Sequence, residues 1–335
     1  MNLEPLNQWF HKSHLGVSAP VTMELIAGGR SNLTYRLTDA TGNRFVLRRP
    51  PQGHLLASAH DVAREYRIMQ ALSTTDVPVA RPIVVCGDTT ILDAPFFVAE
   101  YVEGRVVRDA VDAEKLTQAS RRQAGFSLID TLIRIHALDV DDVGLGKLGR
   151  RDDYAGRILK RWSTQHAQVR SPSKRIDALH KQLGSHVPIQ GEATLVHGDY
   201  RLDNVIVDEC GRAKAVLDWE LATLGDPIAD LGLVLVYWSQ LDDSVERQSL
   251  GTATSVVGFP DRSELVEYYV RQSGRDGSRL QYFVALGFWK LACILEGVQD
   301  RYLSGSGGGD PSGASDLEST IDHVIDLAVQ ARSDV

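Results

Sequence analysis

His197-Gly198-Asp199-Tyr200-Arg201-Leu202-Asp203-Asn204, followed by Leu217-Asp218-Trp219-Glu220, is the stretch that decides the fold. The apolar runs Val205-Ile206-Val207 and Ala215-Val216-Leu217 flank turn residues at 208–211. That pattern predicts a hairpin that brings Asp218 back beside Asn204. Phosphoryl transfer needs a carboxylate at the acceptor hydroxyl and oxygen ligands holding Mg²⁺ on the phosphates. Asp199 and Asn204, five residues apart on one loop, can place one group at the hydroxyl and the other on the metal. Asp218 can supply the second ligand. One such motif alone is as readily a turn between strands; two at this separation point to the chemistry.

Outward from this island the chain divides. Before it, residues 21–29, 32–39, 43–50, 82–88 and 95–104 are β-rich runs, interrupted by one helical stretch over about 58–72. After residue 112, helical spacing dominates, in segments 124–138, 154–169, 265–272 and 282–303. Residues 304–315 read as a flexible loop, and a short final helix follows. The expected class is α+β: a two-lobed protein with a β-rich nucleotide-binding lobe over 1–102 and a mainly helical lobe over 103–335. The latter would carry the catalytic loop and acceptor site.

Composition narrows the partners. The 335-residue chain carries a net charge of −8, which disfavours nucleic acid and anionic membranes. No uninterrupted run of eighteen apolar residues and no leader-like N-terminus is seen, so neither membrane nor export is expected. Three separated cysteines fit reduced thiols in a cytoplasmic protein. Oligomeric state is not legible.

HGDYRLDN with LDWELATLGDPIADLG resembles the catalytic and metal segments of the aminoglycoside phosphotransferase and choline kinase superfamily, which shares the protein-kinase-like fold. The resemblance implies Asp199 as catalytic base, Asn204 and Asp218 as Mg²⁺ ligands, and ATP or GTP as phosphoryl donor. His197 would orient the loop, and Asp226 and Asp230 would cap the next helix and brace the loop. Gly28, Gly29, Ser31 and Asn32 would cradle phosphates between two strands. In the strand after them, Val46 and Arg48 share a face. Val46 would roof the base, and Arg48, or its neighbour Arg49, would grip phosphate and pair with Glu65. The main chain of Glu100 and Val102 would meet the base edge at a hinge.

Only six residues separate Asp218 from Gly225-Asp226-Pro227, which leaves no activation loop, and no P-loop motif is present. A small-molecule kinase is therefore expected. LKRWSTQ (159–165), GDPIADLGLVLVYW (225–238) and LACILEGVQDRYLSG (291–305) resemble the subgroup found alone or fused to acyl-CoA dehydrogenases. The resemblance spans residues 20 to 330 and implies a hydroxy acid or hydroxyacyl-CoA as acceptor. Residues 147–186 hold ten Lys or Arg against three Asp, a local charge of +7. That segment, with Arg157 and Arg161 on one helical face, suits an anionic acceptor. A cationic acceptor of the aminoglycoside or choline type, and a catalytically silent nucleotide-binding module, remain the alternatives.

Overall fold

The computed structural model describes residues 2–13, 15–28, 32–51, 62–304 and 313–333. Its N-terminal part runs α1 (Glu4–Ser13), β1 (Thr22–Gly28), β2 (Leu33–Thr38), β3 (Arg44–Arg49), α2 (Val62–Leu72), β4 (Pro82–Cys86), α3 (Thr89–Leu92) and β5 (Phe96–Glu100). The strands form one antiparallel sheet in the order β1-β2-β3-β5-β4. Alternation sorts its faces: Leu47 and Val98 join Leu6, Phe10 and Phe96 in a core under α1, while Val46 and Arg48 turn to the other side. The β2–β3 turn is tied by Asp39, whose carboxylate accepts from the Ser18, Thr41 and Asn43 amides at 2.9–3.1 Å. Burial opposes that charge, but the bonds win and hold the carboxyl down at about 2.

The second part runs β6 (Arg105–Val106), α4 (Ala110–Glu114), α5 (Gln118–His136), α6 (Tyr154–His166), α7 (Lys174–Gly184), β7 (Thr194–Val196), β8 (Val205–Val207), β9 (Ala213–Val216) and β10 (Thr223–Gly225). It continues through α8 (Ile228–Tyr237), α9 (Val245–Gln248), α10 (Arg262–Ser273), α11 (Leu280–Leu303) and α12 (Gly313–Ser333). β8 and β9 form the expected hairpin, with β6 on its outer edge.

α11 is long and apolar enough to cross a membrane, yet 72% of its apolar window is buried within the protein. It packs on α6, α7, α8 and α12 as the axis of this lobe. Each fully buried Leu or Phe on it contributes roughly 1.5–3 kcal/mol. α8 is buried on nearly all sides, so its apolar residues show no 3.6 period, as expected of a core helix. Its orphan C-terminal carbonyls are satisfied by Arg247, which donates to Leu235 O and Val236 O at 2.6 Å.

The C-terminal expectation needs correction. The final helix is not short but 21 residues long, beginning at Gly313 inside the expected loop. Residues 305–312, and the expected start of α2 at residues 58–61, lie outside the described residues.

Candidate active site

β7 delivers His197 to the start of the catalytic loop. Gly198 has φ +81, and a Cβ there would stand 2.9 Å from Leu221 O, so this turn excludes a side chain. Asp230, on α8, accepts from the amides of His197 (2.7 Å) and Gly198 (2.9 Å). It therefore braces the loop, as expected, but it lies inside α8 and does not cap it. Capping falls to Asp226, which accepts from Ile228 N at 3.0 Å and pairs with Arg279 at 3.2 Å. His136 stands 3.4 Å behind Asp230 and shares a 2.7 Å bond with the Tyr269 hydroxyl. Burial opposes the charge on Asp230, but His136 and the Gly198 amide hold its carboxyl below the ordinary range. The His197 ring joins both halves of the site. Its Nδ1 accepts from Asp199 N at 3.2 Å, and its Nε2 donates to Leu217 O at 2.9 Å, which assigns the proton to Nε2.

The next turn of chain sets the carboxylates. Asn204 Nδ2 donates to Asp199 O (2.8 Å) and Asp199 Oδ2 (3.1 Å), which leaves Asn204 Oδ1 as its remaining acceptor atom. Leu217 N donates to Asn204 O at 2.8 Å, so the hairpin brings Asp218 beside Asn204. Asp218 is left-handed at φ 66, a conformation aspartate tolerates better than most residues and one that collects at functional sites.

From the opposite lobe, Arg48 Nη2 donates to Asp218 Oδ1 at 2.5 Å. Its Nε lies 3.1 Å from Glu65, and Glu220 stands 3.7 Å away. Glu220 also accepts from Asn32 Nδ2 at 3.1 Å. Burial works against the Arg48 charge, but Glu65, Asp218 and Glu220 outweigh it. Burial pushes Glu65 up to about 7, with Arg48 opposing and Asp218 and Glu220 adding to the rise. Arg49 is fully buried on the other face, donating to Pro50 O and Leu92 O. Arg48, not Arg49, is the cleft arginine.

Asn32, Arg48, Glu65, Asn204 and Asp218 line one cleft of about 610 Å³ between the lobes, and Asp199 adjoins it through its bond to Asn204. Val46, Ala99 and Val102 form part of its apolar wall, and Glu100 lies at its edge. The Glu100 amide is already donated to Arg81 O at 2.9 Å. Gly28 ends β1, while Gly29 and Ser31 lie outside the described residues. Asn204 Oδ1 and the Asp218 carboxylate are hard oxygen donors of the kind Mg²⁺ takes, with phosphates and water completing its shell.

A second cavity, of about 460 Å³, meets the loop at Gly198. Arg157 and Arg161 both reach it, joined by Arg64 and Lys290; Glu220 is the one acidic residue in its wall. Arg157 donates to Leu224 O at 2.7 Å through Nη2, while its buried Nη1 has no hydrogen-bond partner. Lys290 donates to Gly198 O at 2.9 Å, and burial lowers its pKa. Four other arginines of the basic segment are paired elsewhere. Arg150, Arg151, Arg170 and Arg175 pair with surface aspartates 152, 141, 300 and 322. The +7 segment is thus not a continuous acceptor surface. Sequence analysis missed Arg64, Glu220 and Lys290. Lys290 alone left a signal, as a cation inside the apolar run of α11.

A β-rich lobe and a helical lobe, with Arg48, Asn204 and Asp218 in the cleft between them and Asp199 beside Asn204, define a kinase-like phosphotransferase architecture. The profile of the phosphotransferase enzyme family matches residues 22–268, and the chain belongs to that family. It is similar to acyl-CoA dehydrogenase family member 11 of Rattus norvegicus, at 35% identity over 88% of this chain and 38% of that one. Acyl-CoA dehydrogenase family member 10 of Mus musculus is 36% identical over 88% of this chain and 28% of its own length. The chain therefore spans well under half of these relatives. A Ralstonia eutropha crystal structure assigned as an aminoglycoside phosphotransferase superposes with TM-score 0.82 at 29% identity, covering 99% and 98% of the two chains. Aminoglycoside phosphotransferase APH(4)-Ia, in complex with ADP and hygromycin B, shares the fold at TM-score 0.63 and 14% identity, over 96% and 98%.

Proposed function

We propose that this chain transfers the γ-phosphoryl of magnesium-bound ATP to a hydroxyl of a small anionic acceptor, a hydroxy acid or hydroxyacyl-CoA. The observation that carries the chemistry is the convergence of Asn204, Asp218 and Arg48 at one cleft, with Asp199 bonded to Asn204 at 3.1 Å. Asp199 orients the acceptor hydroxyl and takes its proton as that oxygen bonds to phosphorus. The bond from phosphorus to the bridging oxygen breaks, and ADP leaves with the electron pair. Arg48, tied to Glu65, serves the phosphates of the nucleotide. Asn204 and Asp218 would hold Mg²⁺, which supplies charge neutralisation on the phosphates.

The acceptor reading is supported by the second cavity. Four cations face one carboxylate there, and Arg157 keeps a buried donor unpaired. An unpaired buried donor costs roughly 1–3 kcal/mol, which an anionic ligand would relieve. A polycationic acceptor would meet repulsion instead. Nucleotide turnover should be screened against hydroxy acids, hydroxyacyl-CoAs, aminoglycosides and choline side by side. Turnover with the first two classes is expected; turnover with the cationic compounds alone would overturn the acceptor assignment.

A further inference from the structure

Arg201 has no role in the scheme so far, yet it lines the nucleotide cleft two residues after Asp199. Its Nε lies 3.1 Å from Asp203 Oδ1 and 3.5 Å from Asp199 Oδ2. Its guanidinium carbon sits 4.7 Å over the centre of the Tyr237 ring, so stacking orients it and two ion pairs hold it, while its buried Nε makes no hydrogen bond. Desolvation works against the charge, and Asp199 and Asp203 more than restore it. Among the described residues, neither Nη group of Arg201 makes a hydrogen bond. Arginines that brace this fold behave otherwise: Arg247 gives its Nη donors to carbonyls of α8, and Arg64 gives one to Glu220 O.

A cation held by ring stacking and two ion pairs, lining the cleft with Nη groups that make no hydrogen bond, is a preorganised donor for charge that develops during reaction. We infer that Arg201 is a catalytic residue whose Nη groups hydrogen-bond the non-bridging oxygens of the phosphoryl group in transit from nucleotide to acceptor. This rests on the phosphoryl-transfer reading but not on the identity of the acceptor. As before, the acceptor oxygen bonds to phosphorus, the bridging P–O bond breaks, and the proton goes to Asp199. Arg201 stays charged and exchanges no proton.

The test is calorimetric binding of MgADP with and without aluminium fluoride, a mimic of the phosphoryl in flight. Wild type should bind MgADP about 10²-fold more tightly with fluoroaluminate present, the low end for transition-state mimics. Arg201→Ala should bind MgADP within about threefold of wild type but lose most of that gain. Arg201→Lys, which keeps a charge near Asp199 and Asp203, should lose about tenfold of it, and carries the test if the alanine variant does not fold. Methylguanidinium should restore part of the slow nucleotide hydrolysis of Arg201→Ala. A full fluoroaluminate gain in either folded variant overturns the inference. So does a parallel loss of MgADP affinity, which would mark Arg201 as a loop brace. A wild-type protein that binds no MgADP would instead overturn the phosphotransferase reading itself.

Discussion

Arg48 and Arg49 are neighbours in sequence with opposite fates, one in the cleft and one sealed behind the sheet. Strand alternation puts them on opposite faces, but which face is the cleft was settled only by the packing of Leu47 and Val98 against α1. The proximity of Asp199, Asn204 and Asp218 was legible because it is local: Asp199 and Asn204 share a loop, and a hairpin returns Asp218. Asp199→Asn should retain MgATP binding and slow transfer by about 10²–10⁴-fold, the scale of a positioned base. Near-normal single-turnover rates would show that another group orients the hydroxyl. Glu65 gives a pH signature of its own. Its pKa rises from 4.5 to about 7 on folding, so its contribution to stability is fully present below 4.5 and is lost as pH rises through 7. Glu65→Gln removes that dependence. Urea unfolding at pH 5 and pH 8 should therefore show the variant gaining on wild type as pH rises; a constant difference would refute the shift.

At the scale of elements, the β8–β9 hairpin depends on how its tip meets α5. Gly211 has φ +83, and a Cβ there would fall 2.0 Å from Ser120 O and 2.8 Å from Ala124 N. Ser120 Oγ also donates to Glu209 O at 2.8 Å. Gly211→Ala must push the hairpin off the helix or strain its turn, at a cost of about 1–3 kcal/mol. Denaturant unfolding measures it, and turnover should fall as well, because the same hairpin positions Asn204 and Asp218. A variant as stable as wild type would mean the tip yields freely. Strands and long amphipathic helices were legible here because their periods are simple. α8 was expected only as the helix following Asp226 and not from its period, since a segment buried on all sides carries no stripe. α12 was misjudged because its start lies in a glycine- and serine-rich stretch that composition assigns to a loop.

For the whole molecule, the acceptor side was the least legible, because it is assembled from α2, α6, α11 and the catalytic loop. Counting charge along residues 147–186 found Arg157 and Arg161 but could not know that surface aspartates neutralise several of their neighbours. Nor could it find Arg64 and Lys290, which arrive from distant segments. Reversing both charges, as Arg157→Glu with Arg161→Glu, should raise the acceptor KM by at least about tenfold while changing the MgATP KM little. Raising salt should weaken acceptor binding more than it weakens nucleotide binding, with exposed Arg161 the more easily screened of the pair. Equal loss for both ligands would indicate damage to the fold instead.

The contact between Arg48 and Asp218 means that the two lobes supply each other's counter-ions. On the proposed function, nucleotide arriving without metal would draw Arg48 toward phosphate and leave Asp218 without its cation, while metal arriving alone would compete with Arg48 for Asp218. Each ligand thus removes an obstacle to the other, and their joint occupancy should exceed what separate affinities give. By reciprocity, one coupling free energy governs both directions. Arg48→Gln cuts that tie: Mn²⁺ titrated alone should bind this variant more tightly than wild type, while the benefit of added metal to nucleotide affinity shrinks. Equal coupling in the two proteins would mean that the ion pair is broken at no cost. On the proposed function, such wiring would disfavour free nucleotide before any chemistry begins.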